Sequence, residues 1–121
     1  MVVNTAIMQE NINGNLIMKM YLNEQQTAKL IELGVDKPKG SHSYWRGNEL
    51  VININYSIGE LLSFLPTSYG GDDYYSLTIR GSKVMYCDPY LDWIEAEWGK
   101  HEELIDNLFD ACVELKKEGT I

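Results

Sequence analysis

Residues 74–98 limit the fold most. Residues 74–80 and 83–87 are aromatic and β-branched runs separated by Gly81-Ser82 alone, a spacing that suits a tight antiparallel turn. Residues 90–98 then alternate Ile94, Ala96 and Trp98 with Glu95 and Glu97, which predicts a third strand with an acidic outer side and Trp93 on the glutamate side. Such short connections leave no space for the crossover helix that parallel strands need. The sheet should therefore be antiparallel.

The helices are equally legible. Leu104, Ile105, Leu108, Phe109, Ala111, Cys112 and Leu115 recur at helical spacing within residues 101–117. Acids stand at the start of this segment and Lys116 and Lys117 at its end, as the helix dipole favours, and Gly119 closes it. Two shorter helices carry capping boxes: Asn23 with Gln26, closed by Gly34, and Ser57 with Glu60, spanning 58–64 and stopped by Pro66. Residues 43–45 and 49–55 flank Arg46-Gly47-Asn48 and read as a hairpin, whereas 67–73 read as a loop. Residues 1–20, Asn-rich with a turn signal at Asn13-Gly14, read as an N-terminal arm or hairpin. Met18 and Met20 offer a later start, which would make the first seventeen residues dispensable.

The order αββαβββα in 121 residues predicts one α+β domain over 21–121. Its expected form is an antiparallel sheet of about four to six strands with the C-terminal helix packed on one face and the earlier helices at its edge.

Charge narrows the function. The net charge is −8, and six of these charges fall within residues 91–121. No cluster of Lys and Arg exists to neutralise phosphates, so direct nucleic-acid binding is not expected. Cys87 and Cys112 are far apart with apolar neighbours, as expected of buried thiols in a reducing cytoplasm. No window has the apolar length of a membrane span, and residues 1–8 lack the basic, apolar pattern of a leader.

Candidates for chemistry are few. Tyr69-Gly70-Gly71-Asp72-Asp73-Tyr74 resembles the Gly-Gly-acid-acid-aromatic turn of diguanylate cyclases and related palm domains, where glycines admit the nucleotide and the acids bind Mg²⁺. That chemistry needs a further Asp at the end of an earlier strand, and here residues 51–55 lead into Asn55 and Tyr56. His42 lies between two serines without a nucleophile elbow, and His101 precedes Glu102 and Glu103, which as helical neighbours would not face one another. Phosphate-binding glycine fingerprints are absent. No catalytic residue, metal ligand or cofactor site is nominated.

The aromatic residues stand out instead. Tyr69, Tyr74, Tyr75, Tyr86, Tyr90, Trp93 and Trp98 lie close together in sequence around the strands, and rings left outside the core would make an interface. Tyr69, Tyr74, Tyr90, Trp93, Glu95 and Glu97 are the candidate interaction surface.

Three segments, residues 21–34, 56–66 and 104–119, together resemble small proteins without an assigned activity from gut anaerobic bacteria, their phages and mobile elements. The resemblance implies a compact α+β accessory protein, covers about residues 21–121, and transfers no catalytic residue. The leading expectation is a noncatalytic interaction protein that meets a protein partner or a second copy of itself. One alternative is an inhibitor whose acidic C-terminal region mimics nucleic acid in a basic enzyme groove. Another is a small enzyme using His42 or the Asp72-Asp73 loop.

Overall fold

The computed structural model describes residues 18–39, 42–69, 72–90 and 93–121, side chains at 42–44, 51–53 and 72–74 excepted. The N-terminal arm or hairpin falls outside these residues apart from 18–20. The elements run α1 (Glu24–Glu32), β1 (His42–Arg46), β2 (Glu49–Asn53), α2 (Ile58–Phe64), β3 (Ser68–Tyr69), β4 (Asp72–Arg80), β5 (Lys83–Cys87), β6 (Ile94–Trp98) and α3 (Leu104–Glu118). The result is a small α+β domain whose C-terminal helix packs on the larger of two antiparallel sheets.

Local hydrogen bonding explains the helix boundaries. Asn23 Oδ1 accepts the Gln26 N–H at 2.8 Å, and Gln26 Oε1 accepts the Asn23 N–H at 3.1 Å. Ser57 and Glu60 repeat this reciprocal cap at the start of α2. At the other end of α3, Gly119 adopts φ 81°, a left-handed conformation that costs a side-chain-bearing residue energy, and its N–H donates to the carbonyls of Leu115 and Lys116.

The larger sheet has four antiparallel strands, within the expected range, and the hairpin expected at 43–55 forms a second, two-stranded sheet. Among the described residues β1 and β2 pair only with each other, with Trp45 opposite Leu50, while the larger sheet has the order β3-β4-β5-β6. His42, just outside the hairpin strand expected at 43–45, begins β1 opposite Asn53. β3 was expected as part of a loop. Its two residues instead pair with β4, Tyr69 opposite Asp72, and Asp72 and Asp73, expected in the same loop, begin β4.

Register assigns the two faces of the larger sheet. Leu77, Tyr86 and Ala96 lie across from one another, as do Ile79, Val84 and Trp98, and this face meets α3. The core comprises Val84, Tyr86 and Trp98 from the sheet, Ile105, Leu108, Ala111, Cys112 and Leu115 from α3, and Leu22, Leu30, Tyr56 and Leu61 from the first half. Tyr86 stacks on Tyr69 at 5.1 Å and meets Trp98 edge-on at 6.1 Å. Its hydroxyl donates to the Pro66 carbonyl at 2.7 Å, so the buried ring keeps a polar partner. Both cysteines are buried and free, as the sequence implied. Among the described residues no helix is long and apolar enough to cross a membrane.

A register shift between Tyr86 and Cys87 corrects the simple alternation. It sets Ile94 opposite Cys87, so Ile94 joins Met85 and Glu97 on the face away from α3 rather than following Ala96 and Trp98 inward. Met85 and Cys87 on that face are nevertheless buried. The Thr78 hydroxyl meets the Cys87 sulfur at 3.4 Å, while Arg80, Lys83, Ile94 and Glu97 enclose with Met85 a hollow of about 420 Å³. Long charged side chains thus cover apolar atoms with their stems.

Candidate functional site

Among the described residues of the larger sheet, those flanking the connection from β5 to β6 include the most exposed aromatic side chains, Tyr90 and Trp93. Pro89 cannot extend a ladder, so the chain leaves β5 at Asp88. Asp88 and Trp93 then bond twice: the Asp88 N–H donates to the Trp93 carbonyl at 3.1 Å, and Asp88 Oδ1 accepts the Trp93 N–H at 3.2 Å. This closure fixes the backbone of Trp93 while sending its ring outward. Trp93 is 60% exposed and Tyr90 76%.

The indole N–H of Trp93 donates to Glu95 Oε2 at 3.1 Å, which holds the ring alongside the start of β6. Glu97, two residues on, meets Lys83 Nζ at 3.3 Å. Among the described residues no cation lies within salt-bridge distance of Glu95. Tyr90, Trp93, Ile94 and Glu95 are thus exposed in one short stretch of chain at the turn and the start of β6, with Glu97 and Ile94 together on the face away from α3.

The other members of the predicted surface are placed elsewhere. Tyr69 is half-buried on the α3 side, its ring on Tyr86 and its hydroxyl donating to Glu118 Oε2 at 3.3 Å. Burial, together with the charge of Glu118, raises its pKa. Tyr74 lies in β4, and its side chain is outside the described residues. His42 begins β1 and Asp72 and Asp73 begin β4, and their side chains are likewise outside the described residues. Among the described residues no group of three or more His, Cys, Asp or Glu side chains is placed to hold a metal ion. Cys112, the most deeply buried thiol, is pushed up to about 12 by burial, which keeps it protonated and unreactive at neutral pH.

No known protein family matches the chain, and no curated protein or solved structure matches it. The surface must be interpreted from its own chemistry.

Acids of α3 bear on the mimicry alternative. Glu103, Asp106, Asp110, Glu114 and Glu118 recur every three or four residues and form one stripe. Each accepts a hydrogen bond from another element: Glu103 and Asp106 from Lys19, Asp110 from or with His101 Nε2 at 2.9 Å, Glu114 from the Trp98 indole, and Glu118 from Tyr69. The stripe fastens the helix to its surroundings, with Glu114 and Glu118 still exposed to solvent.

Sequence reading missed one exposed aromatic. Trp45 is 70% exposed beside its cross-strand partner Leu50, at the far end of the small hairpin. The signal was available: a two-stranded ribbon can cover at most one of its faces, so an aromatic in it has an even chance of facing outward.

Proposed function

We propose that the protein is a noncatalytic interaction protein that binds another chain through the surface formed by Tyr90, Trp93, Ile94, Glu95 and Glu97. The observation that carries this reading is the pair of rings, Tyr90 and Trp93, held outside the core by the Asp88–Trp93 closure. Large rings fixed in water contribute contact area with little loss of side-chain freedom, which is why they recur at the centres of interfaces. An origin in a phage or mobile element belongs to the same proposal and rests on the three segments at 21–34, 56–66 and 104–119 alone.

Site-specific photocrosslinking tests it in the cells that express the protein. A photoreactive residue at position 90 should give a discrete adduct that disappears in the Trp93→Ala background. The exposed position of Glu32 in α1 serves as the control. No adduct from position 90, or the same adduct from position 32, would overturn the reading.

A further inference from the structure

We infer that the hollow where α1, α2 and α3 end binds a free α-amino acid with an apolar side chain. The inference goes beyond the interaction reading above and does not depend on it. Residues from the C-terminal ends of the three helices border a hollow of about 400 Å³, within the range of about 300–1,000 Å³ common to small-molecule sites. Val35, Phe64, Leu65, Pro66 and Ile121 form its apolar wall.

Two opposite charges border the same hollow without meeting. Lys116, in the last turn of α3, runs its stem across the end of α1: its Cε lies 3.5 Å, and its Nζ 3.9 Å, from the point where a side chain on Gly34 would begin. Asp36 stands two residues beyond that glycine, its backbone carbonyl held by the Tyr56 hydroxyl. Among the described residues neither the Lys116 ammonium nor the Asp36 carboxylate has an ion-pair or hydrogen-bond partner, and the two do not bridge one another. Lys116 is half-buried, so its side chain has given up part of its water without gaining a counter-ion.

Charge selects the occupant. Lys116 and Asp36 are the charged side chains on the wall. A lone anion would meet Asp36 and the repulsion of a chain of net charge −8, and a lone amine would meet Lys116. A molecule carrying both charges meets each with its opposite: carboxylate toward Lys116, ammonium toward Asp36 and the partly negative carbonyl ends of the helices. An α-amino acid holds these two groups on one carbon and adds a side chain for the apolar wall.

The frame is also held ready. The Val35 N–H donates to the Leu30 carbonyl at 3.0 Å and the Thr120 N–H to the Leu115 carbonyl at 2.9 Å, which ties the segments after α1 and α3 to their own helices. A site that does not have to be ordered on binding loses less conformational entropy.

The test titrates the full chain with leucine, leucinamide, N-acetyl-leucine and glycine in slightly acidic buffer, where free amines are charged. Binding is read from amide resonances in two-dimensional NMR. Leucine should give saturable shifts confined to residues 34–36, 63–65 and 116–121. Leucinamide and N-acetyl-leucine each lack one charge and should bind about fivefold more weakly, while glycine, without an apolar side chain, should not saturate. Lys116→Met should make leucine and leucinamide equal yet keep the preference over N-acetyl-leucine, and Asp36→Asn should do the reverse. A general loosening of the fold would instead weaken every probe alike.

No saturable shift with leucine, shifts centred on other residues, or equal binding of leucine and its two singly charged forms would overturn the inference. So would a variant that keeps both preferences of the unaltered chain. Should a variant fail to fold, the four probes on the unaltered chain decide alone. The adduct from position 90 stands or falls independently of these outcomes.

Discussion

Asn107, fully buried in α3, donates its amide to the Ser82 carbonyl at 2.7 Å, tying the helix to the turn between β4 and β5. The same amide donates to the His101 carbonyl at 3.0 Å, and Asn107 Oδ1 accepts the His101 N–H at 2.9 Å. One side chain thus satisfies three backbone groups from two loops. Asn107→Ala should destabilise the fold by about 2–4 kcal/mol, because it removes all three bonds and leaves those part-buried groups without this partner. Asn107→Asp should be at least as damaging, since a carboxylate would face two carbonyl oxygens. Urea denaturation of both variants checks this, and a loss below about 0.5 kcal/mol for the alanine would contradict it.

The buried tyrosines set an alkaline limit. Burial, aided by the charges of Glu60 and Asp36, raises the Tyr56 hydroxyl from 10.0 to about 12. Tyr86 is raised to about 12 mainly by burial, and Cys112 goes from 9.0 to about 12 for the same reason. The unfolded chain releases these protons at lower pH than the folded one. Their contribution to stability is therefore complete below about pH 9 and is lost as the pH rises toward 12. In an alkaline titration, the last of the eight tyrosines should ionise only as near-ultraviolet circular dichroism collapses. Complete tyrosinate absorbance from a protein with native dichroism would refute this.

Thr27 offers a gain. Its residue is buried in α1, and its hydroxyl has no hydrogen-bond partner among the described residues. Thr27→Val replaces that hydroxyl with a methyl group of similar size and removes an uncompensated polar atom from the interior. The variant should be more stable by about 1 kcal/mol in urea. A loss of stability would mean that the hydroxyl is satisfied in solution.

Features settled within a few residues of chain were readable in the sequence. The Asn23–Gln26 and Ser57–Glu60 caps each lie within a four-residue window, and α2 occupies the predicted 58–64. The Gly81-Ser82 turn and the Gly119 terminus are equally local, as is the exposure of Trp93. What escaped reading depends on distant pairing. β3 exists only because β4 is there to pair with it, and two residues carry no periodicity of their own. Ile94 faces away from α3 because of a register shift against β5, which a strict two-residue alternation cannot reveal. Of the predicted surface, Trp93, Glu95 and Glu97 came together through closeness in sequence. Tyr69 was drawn into the core by Tyr86 and Glu118, seventeen and forty-nine positions away.

Among the described residues Lys19 makes the tie of longest sequence range. Its ammonium donates to Asp106 Oδ1 at 2.9 Å and lies 3.4 Å from Gln26 Oε1, while its backbone N–H donates to Glu103 Oε2 at 3.1 Å. Glu103 is the N-cap residue of α3, yet its carboxylate makes no capping bond. The strand of chain before α1 is thereby fastened to the first turn of α3, with the lysine and aspartate side chains only 12% and 20% exposed. Such a pair lies between a surface ion pair, which contributes little, and a buried one, whose disruption is severe. Lys19→Met should therefore destabilise by about 1–3 kcal/mol, leaving Asp106 partly buried with only Gln26 as donor. Asp106→Asn should cost less, because the amide still accepts from Lys19. Combining the two should cost less than the sum of the single changes, since the second substitution removes a charge that the first has orphaned. Additive losses in the double-mutant cycle would show that the two side chains do not interact.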